Sequence, residues 1–355
     1  MIDLKVKAFL KRKNIEISFK RYGIDALGAM AQGLFCSLLI GTIIGTLGSL
    51  TGSAFLTDIG GYTKDVSGVA MAVAIGYALQ ADPMVLFSLA TVGYAANSIG
   101  GAGGPLAVLV IAIIAAEFGK AVSKETKIDI LVTPAVTILV GVGLSVLIAK
   151  PIGDAANAFG ALIKSATELQ PFLMGVTVSV LVGIALTLPI SSAALCAAFG
   201  LTGLAGGAAV AGCCAQMVGF AVISFRENGW GGLVSQGLGT SMLQMPNIMK
   251  NPRVWIAPTL ASAVTGPVAT CVFGLQMNGA AVNAGMGTCG LCGPIGVITG
   301  CYTPAVEGVA AVTPTAMDWI GLVLICIVLP AVISLLIHLL VRKLGWVKDG
   351  DLKLA

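Results

Sequence analysis

Apolar residues run through this chain in long unbroken stretches, without the polar/apolar alternation of period two that marks a barrel strand. Residues 169–225 and 254–306 hold no Asp, Glu, Lys, Arg or His. Each stretch is long enough for two or more crossings of a bilayer, since one helix spans it in about 20 apolar residues. Inside hydrocarbon the backbone must satisfy its own hydrogen bonds, which leaves helix bundles and closed barrels, and the unbroken runs select helices. Spans are predicted at residues 26–50, 66–81, 130–149, 172–188, 203–225, 254–273, 280–301 and 319–341. Residues 83–116 are uncharged for long enough to cross twice. A polar loop is expected around Asp58, Lys64 and Asp65, and residues 151–163 read as interfacial. Residues 230–249 are amphiphilic and read as a further span, a surface helix or a re-entrant hairpin. The predicted fold is an all-α integral membrane protein, a polytopic bundle of about ten spans with broken or re-entrant helices.

Composition sharpens this reading. Hydrophobic residues make up 57% of the 355, charged residues only 10%, and the mean hydropathy is +0.98. A soluble domain carries roughly 25% charge, so a water-soluble fold is excluded. The few charges also set topology. Lys5, Lys7, Lys11, Arg12, Lys13, Lys20 and Arg21 crowd the start against Asp3 and Glu16, and Arg342, Lys343, Lys348 and Lys353 follow the last apolar run. Basic residues flanking spans favour the cytoplasmic side, so both tails are expected there. The predicted organisation is a basic tail over 1–22, a first membrane half over 23–168, a second over 169–341 and a second tail over 342–355. Five crossings per half give two halves of opposite orientation, the arithmetic of an inverted repeat. The net charge of +4 is thereby a topology signal and not a nucleic-acid footprint. Residues 1–22 show no cleavable signal: no apolar core is followed by a small-residue cleavage site.

Chemistry is sought where the apolar runs break. Residues 97–105 place four glycines and a proline after Asn97, with Gly100 and Gly101 at the centre. Such residues disfavour continuous helix, so either a tight hairpin or two facing half-helices is expected there. Further breaks fall at 188–192, 226–229, 244–247 and 278–296. Irregular backbone at membrane depth survives only where it is buried in protein or lines a watery cavity. Its free N–H and C=O groups can then hold a polar solute. The amides, hydroxyls and glycines at these breaks are the candidate solute ligands: Asn97, Gly100, Gly101, Ser191, Ser192, Gln216, Gln244, Asn247, Asn283, Gly287 and Thr288. The alternative is that the glycines let helices pack closely and the polar side chains bond across them. If the halves are inverted repeats, the breaks after Asn97 and around Asn283 are expected to wall one central site.

Charged candidates are fewer. Arg226 and Glu227 form either an intramembrane pair or an interfacial loop. Glu307 and Glu117 end uncharged runs as solute or proton partners, or as solvated carboxylates. His338, the one histidine, reads as packing. Cys289 and Cys292 have redox or metal spacing, but no second pair or histidine follows. All nine cysteines sit in apolar stretches and read as small hydrophobes, so neither a metal nor a disulfide framework is expected. No Walker-type loop, catalytic triad or nucleotide fold is visible, and no cofactor is expected.

The stretches 187–194, 212–220, 224–229, 236–253 and Gly285-Met286-Gly287-Thr288 resemble the membrane IIC subunits of phosphotransferase systems, in the family that includes the PfoR-like regulators. The resemblance covers nearly the whole chain and is strongest from 187 to 300. It implies a sugar-type permease in a bacterial inner membrane, a homodimer surrounded by lipid, working with separate cytoplasmic IIA and IIB proteins that supply phosphate. No enzymatic activity of its own is implied. No Glu/His sugar-phosphorylating pair, as in the better-studied IIC proteins, maps onto a matching motif here. The competing readings are a membrane solute sensor or regulator and an ion-coupled secondary transporter.

Overall fold

The computed structural model describes residues 2–306 and 308–354, so Glu307 lies outside the described residues. All named elements there are helical. In chain order they are α1 (Ile2–Arg12), α2 (Lys20–Thr51), α3 (Ala54–Asp65), α4 (Ser67–Ala78), α5 (Pro83–Gly100), α6 (Gly104–Val122) and α7 (Asp129–Ala166). They continue with α8 (Pro171–Thr187), α9 (Ser192–Ala198), α10 (Gly203–Ile223), α11 (Phe225–Val234), α12 (Met245–Lys250), α13 (Pro252–Val272), α14 (Cys292–Tyr302) and α15 (Ala316–Lys343). The helical stretches Lys20–Thr51, Pro83–Val122, Asp129–Ala166, Gly203–Ile223, Pro252–Val272 and Ala316–Lys343 are long and apolar enough to cross a membrane. Shorter apolar helices lie at Ser67–Ala78, Pro171–Thr187 and Cys289–Tyr302. The protein is thus a polytopic helical membrane protein.

The stretch Pro83–Val122 is a hairpin and not two half-helices end to end. Gly101 takes φ +51, ψ −121, a conformation open to glycine and closed to most side chains. The chain reverses over the three residues Gly101–Gly103. A Cβ at Gly119, late in α6, would then meet Val85 at the start of α5 at 2.8 Å. Two local expectations are overtaken by helix. The polar stretch around Asp58, Lys64 and Asp65 forms α3. Residues 151–163 continue α7, because the wide turn Ser145–Ala149 shifts the hydrogen-bond register just ahead of Pro151 and so accommodates its missing N–H.

The chain forms two compact units, residues 1–41 with 58–155 and residues 42–57 with 156–355. In the first, α4 packs on α2 and α5 through backbone contact: a Cβ at Gly93 would stand 2.2 Å from the Gly68 carbonyl. One end of this unit carries a polar layer. Lys120, 3% exposed, donates to the carbonyls of Asn14 (2.7 Å) and Leu79 (3.0 Å) and pairs with Glu117 at 2.9 Å. Arg21 also reaches the Leu79 carbonyl, at 2.7 Å. Asp82 accepts from Lys124 Nζ (2.6 Å) and Ser123 Oγ (2.8 Å), and Glu125 takes Arg12 and Lys13.

The hydrogen bond from Lys124, with help from Ser123, holds the Asp82 carboxyl below its usual range despite partial desolvation. A depressed folded pKa adds stability that is complete above the ordinary aspartate value of about 3.9 and is lost as pH falls through the lower folded value. Asp82→Asn is therefore expected to lower the melting temperature near neutrality and to flatten its fall in acid. Equal acid slopes for variant and parent would contradict this.

In the second unit α8, α10, α13 and α15 form the core. Glycine lets their backbones touch. A Cβ at Gly212 (α10) would lie 1.9 Å from the Ser179 carbonyl oxygen of α8, and one at Gly266 (α13) 2.0 Å from the Gly175 carbonyl oxygen, also of α8. Close approach through small residues is how apolar helices associate where lipid removes the hydrophobic drive.

Candidate functional site

Gln216 sits about two-thirds of the way along the 21-residue α10 and is fully buried, so its amide must find partners inside the unit. Trp255 Nε1 donates to its Oε1 at 2.9 Å. An indole N–H can only donate, so the atom facing it is the carbonyl oxygen, and the orientation of the amide is fixed. Thr187 Oγ1, at the end of α8, lies 3.3 Å from the same oxygen and 2.8 Å from Ser241 Oγ. The NH2 end is held more loosely: Gln216 Nε2 is 3.3 Å from Thr259 Oγ1 and 3.5 Å from Ser262 Oγ. An ordinary N–H···O distance is about 2.7–3.2 Å, so these donors are under-used. Thr187, Ser241 and Ser262 are fully buried, whereas Trp255 and Thr259 are half-buried. The result is an amide fork ringed by hydroxyls, beside an indole, within a charge-free region.

The other sequence candidates have different surroundings. Gln244 Nε2 donates to Gln236 Oε1 (2.9 Å) and to the Leu352 carbonyl (3.0 Å), and Asn247 Nδ2 to Gln244 Oε1 (2.8 Å) and the Lys353 carbonyl (2.9 Å). Both therefore grip the C-terminal segment. Ser191 Oγ caps α9 by accepting the Ala194 N–H, and Ser192 Oγ donates to the Gly285 carbonyl at 2.7 Å. Gly287 takes φ +53 with its Cα against Cys213 of α10, where an added Cβ would stand 2.7 Å from the Cys213 Cβ, and Thr288 Oγ1 faces Met217 Sδ at 3.6 Å. Asn283 is half-buried against Gly296. The 278–291 break is thus folded onto α9, α10 and α14 by its glycines. In the first unit Asn97, half-buried, reaches Ser67 Oγ at 3.5 Å, with buried Gly100 and exposed Gly101 following it. Arg226 is exposed, and Glu227 accepts the Leu352 N–H at 3.0 Å; among the described residues the two form no ion pair.

Sequence reasoning chose Gln216 and missed Thr187, Ser241, Trp255, Thr259 and Ser262. One signal was available: Trp255, Thr259 and Ser262 are spaced i, i+4, i+7, a polar stripe on one face of α13. A cleft of about 370 Å³ lies beside Arg12, Lys13, Asp82 and Lys124 and is lined by charges whose partners lie on its own walls.

A polytopic helical bundle with an uncharged amide-and-hydroxyl cluster buried in one unit is the build of a membrane solute carrier. The family model described as Phosphotransferase system, EIIC matches residues 24–354, and the chain belongs to that family. Membership makes it a membrane component of sugar transport that works with IIA and IIB components. No curated protein and no solved structure matches the chain.

Proposed function

We propose that the protein is the permease for a neutral sugar or polyol and that Gln216 is the centre of its solute site. The observation that supports this is the under-used amide NH2 of Gln216, buried in a charge-free span and edged by half-buried Trp255 and Thr259. A sugar hydroxyl oxygen at ordinary hydrogen-bond distance replaces the long contacts to Thr259 and Ser262. Ser241 and Thr187 each donate and accept, as a sugar hydroxyl does, and the indole offers an apolar face to the ring. A handful of fixed polar groups among apolar walls is the usual composition of a small-molecule site. In this reading the basic tails face the cytoplasm, where separate IIB and IIA proteins deliver phosphate.

The test is a thermal-shift panel of D-glucose, D-mannose, D-galactose and D-glucitol on the purified protein, since a ligand that binds only the native state raises its apparent stability. One or more should shift the melting temperature, and Thr259→Val should weaken the tightest by about 2- to 12-fold, the value of one neutral hydrogen bond. No shift by any member, with organic acids or amino acids shifting instead, would overturn the sugar reading. Uptake of the hit into proteoliposomes that contain phosphorylated IIB identifies a permease. Binding without uptake identifies a sensor, and uptake driven by an ion gradient alone identifies a secondary transporter.

A further inference from the structure

Residues 346–354 do not trail from α15. Leu352 is fully buried and Val347 is 3% exposed, and the backbone of this segment is held by side chains from α11 to α12. The Leu352 carbonyl accepts from Asn228 Nδ2 (2.8 Å) and Gln244 Nε2 (3.0 Å), and the Lys353 carbonyl from Asn247 Nδ2 (2.9 Å). The N–H groups of Leu352 and Leu354 are taken by Glu227 Oε2 (3.0 Å) and Asn228 Oδ1 (2.8 Å). Asn251 Nδ2 adds a bond to Asp351 at 2.9 Å. Almost every partner is a backbone group, so what is held is the path of a turn-rich strap and not a particular side chain.

The polar groups that hold the strap lead inward. Gln236 Nε2 donates to Ser224 Oγ (2.8 Å), and Gln236 Oε1 accepts from Nε2 of Gln244, whose own Oε1 accepts from Asn247 Nδ2. Gln236, Gln244 and Asn247 are all buried, so each lost bond leaves a group that water cannot readily satisfy. Gln244 closes the single 3-10 turn Ser241–Gln244, and Ser241, at its other end, is the hydroxyl 2.8 Å from Thr187 at the Gln216 cluster. In a turn of three residues per repeat, a shift at one end moves the other.

We propose that the C-terminal strap is a positioning element of the solute site: bound to Gln244 and Asn247, it fixes the turn that sets Ser241 against Thr187. This rests on the reading of Gln216 and its neighbours as that site. A docked strap gives a complete site. An undocked strap lets the turn relax and withdraws the Ser241 hydroxyl, so whatever competes for residues 346–354 lowers solute affinity.

The test compares the full chain with a chain ended after residue 345, each with and without Ser241→Ala, by calorimetric titration of the tightest sugar of the panel above. Gln244→Met, which keeps the side-chain volume and removes the grip on Leu352, serves alongside the truncation and replaces it if the shortened chain does not fold. Truncation, Gln244→Met and Ser241→Ala should each weaken binding by about 3- to 10-fold, and adding Ser241→Ala to either of the others should weaken it no further. A general loosening of the fold would instead make the losses multiply, which would overturn the proposal. Parent-like binding by the truncated chain and Gln244→Met, with binding lost in Gln216→Ala, would overturn the strap and leave the site standing. Parent-like binding in Gln216→Ala would overturn the site and the strap with it.

Discussion

Gln216→Ala should weaken sugar binding by about 5- to 150-fold, the consequence of deleting a buried hydrogen-bonding group worth about 1–3 kcal/mol. The amide does two jobs that alanine cannot. Its carbonyl receives Trp255 Nε1 and faces Thr187, which holds the indole and the end of α8 in place. In the proposed site its NH2, at 3.3 Å from Thr259 and 3.5 Å from Ser262, is the donor offered to the solute. The variant also deprives the Trp255 N–H of its acceptor, so its melting temperature should fall as well. Calorimetric titration beside a melting curve checks both. A folded Gln216→Ala that binds as tightly as the parent contradicts the assignment.

Gly212→Ala should be among the most damaging single methyls in the second unit. The added carbon would lie 1.9 Å from the Ser179 carbonyl oxygen and 2.5 Å from its carbon, both backbone atoms that no rotamer change can move. Helices α8 and α10 must part, and overpacking of this kind costs about 1–3 kcal/mol or more. The site should suffer too. The Gly212 carbonyl faces Ser262 Oγ at 3.3 Å, and Ser179 Oγ donates to the Ser262 carbonyl at 2.7 Å, so parting these helices pulls Ser262 from Gln216. Gly231→Ala in α11 meets nothing within 4 Å and should be close to neutral. Melting temperatures of the two variants decide the matter, and similar values would contradict this account of the core.

The sequence made the membrane class and most helices legible because charge-free runs have few physical solutions at membrane depth. It could not distinguish a hairpin from facing half-helices at 97–105. Glycines and a proline permit both, and the outcome rests on contacts such as Gly119 on Val85, between residues distant along the chain. Pro151 and residues 58–65 misled for the opposite reason: local breaker and charge signals were outweighed by continuation of a helix already formed. The site was half legible. Gln216 stands out as an amide in an apolar run, but Thr187 and Ser241 join it only through packing of segments 29 and 25 residues away, respectively. Gln244 and Asn247 were visible as amides, whereas their partners are main-chain carbonyls of the C-terminal segment, and backbone groups carry no sequence signal.

The central claim is that a sugar binds at Gln216 beside Trp255 and Thr259, and protection of an introduced thiol tests it most directly. With the exposed Cys36 and Cys271 and the half-buried Cys301 replaced by alanine, Thr259→Cys and Asn283→Cys are each labelled with a small maleimide across a sugar titration. Labelling of the Thr259→Cys protein should slow with a half-point equal to the sugar's Kd, while that of the Asn283→Cys protein stays unchanged. Protection in the Asn283→Cys protein without protection in the Thr259→Cys protein would put the solute at the glycine-rich break and contradict the account.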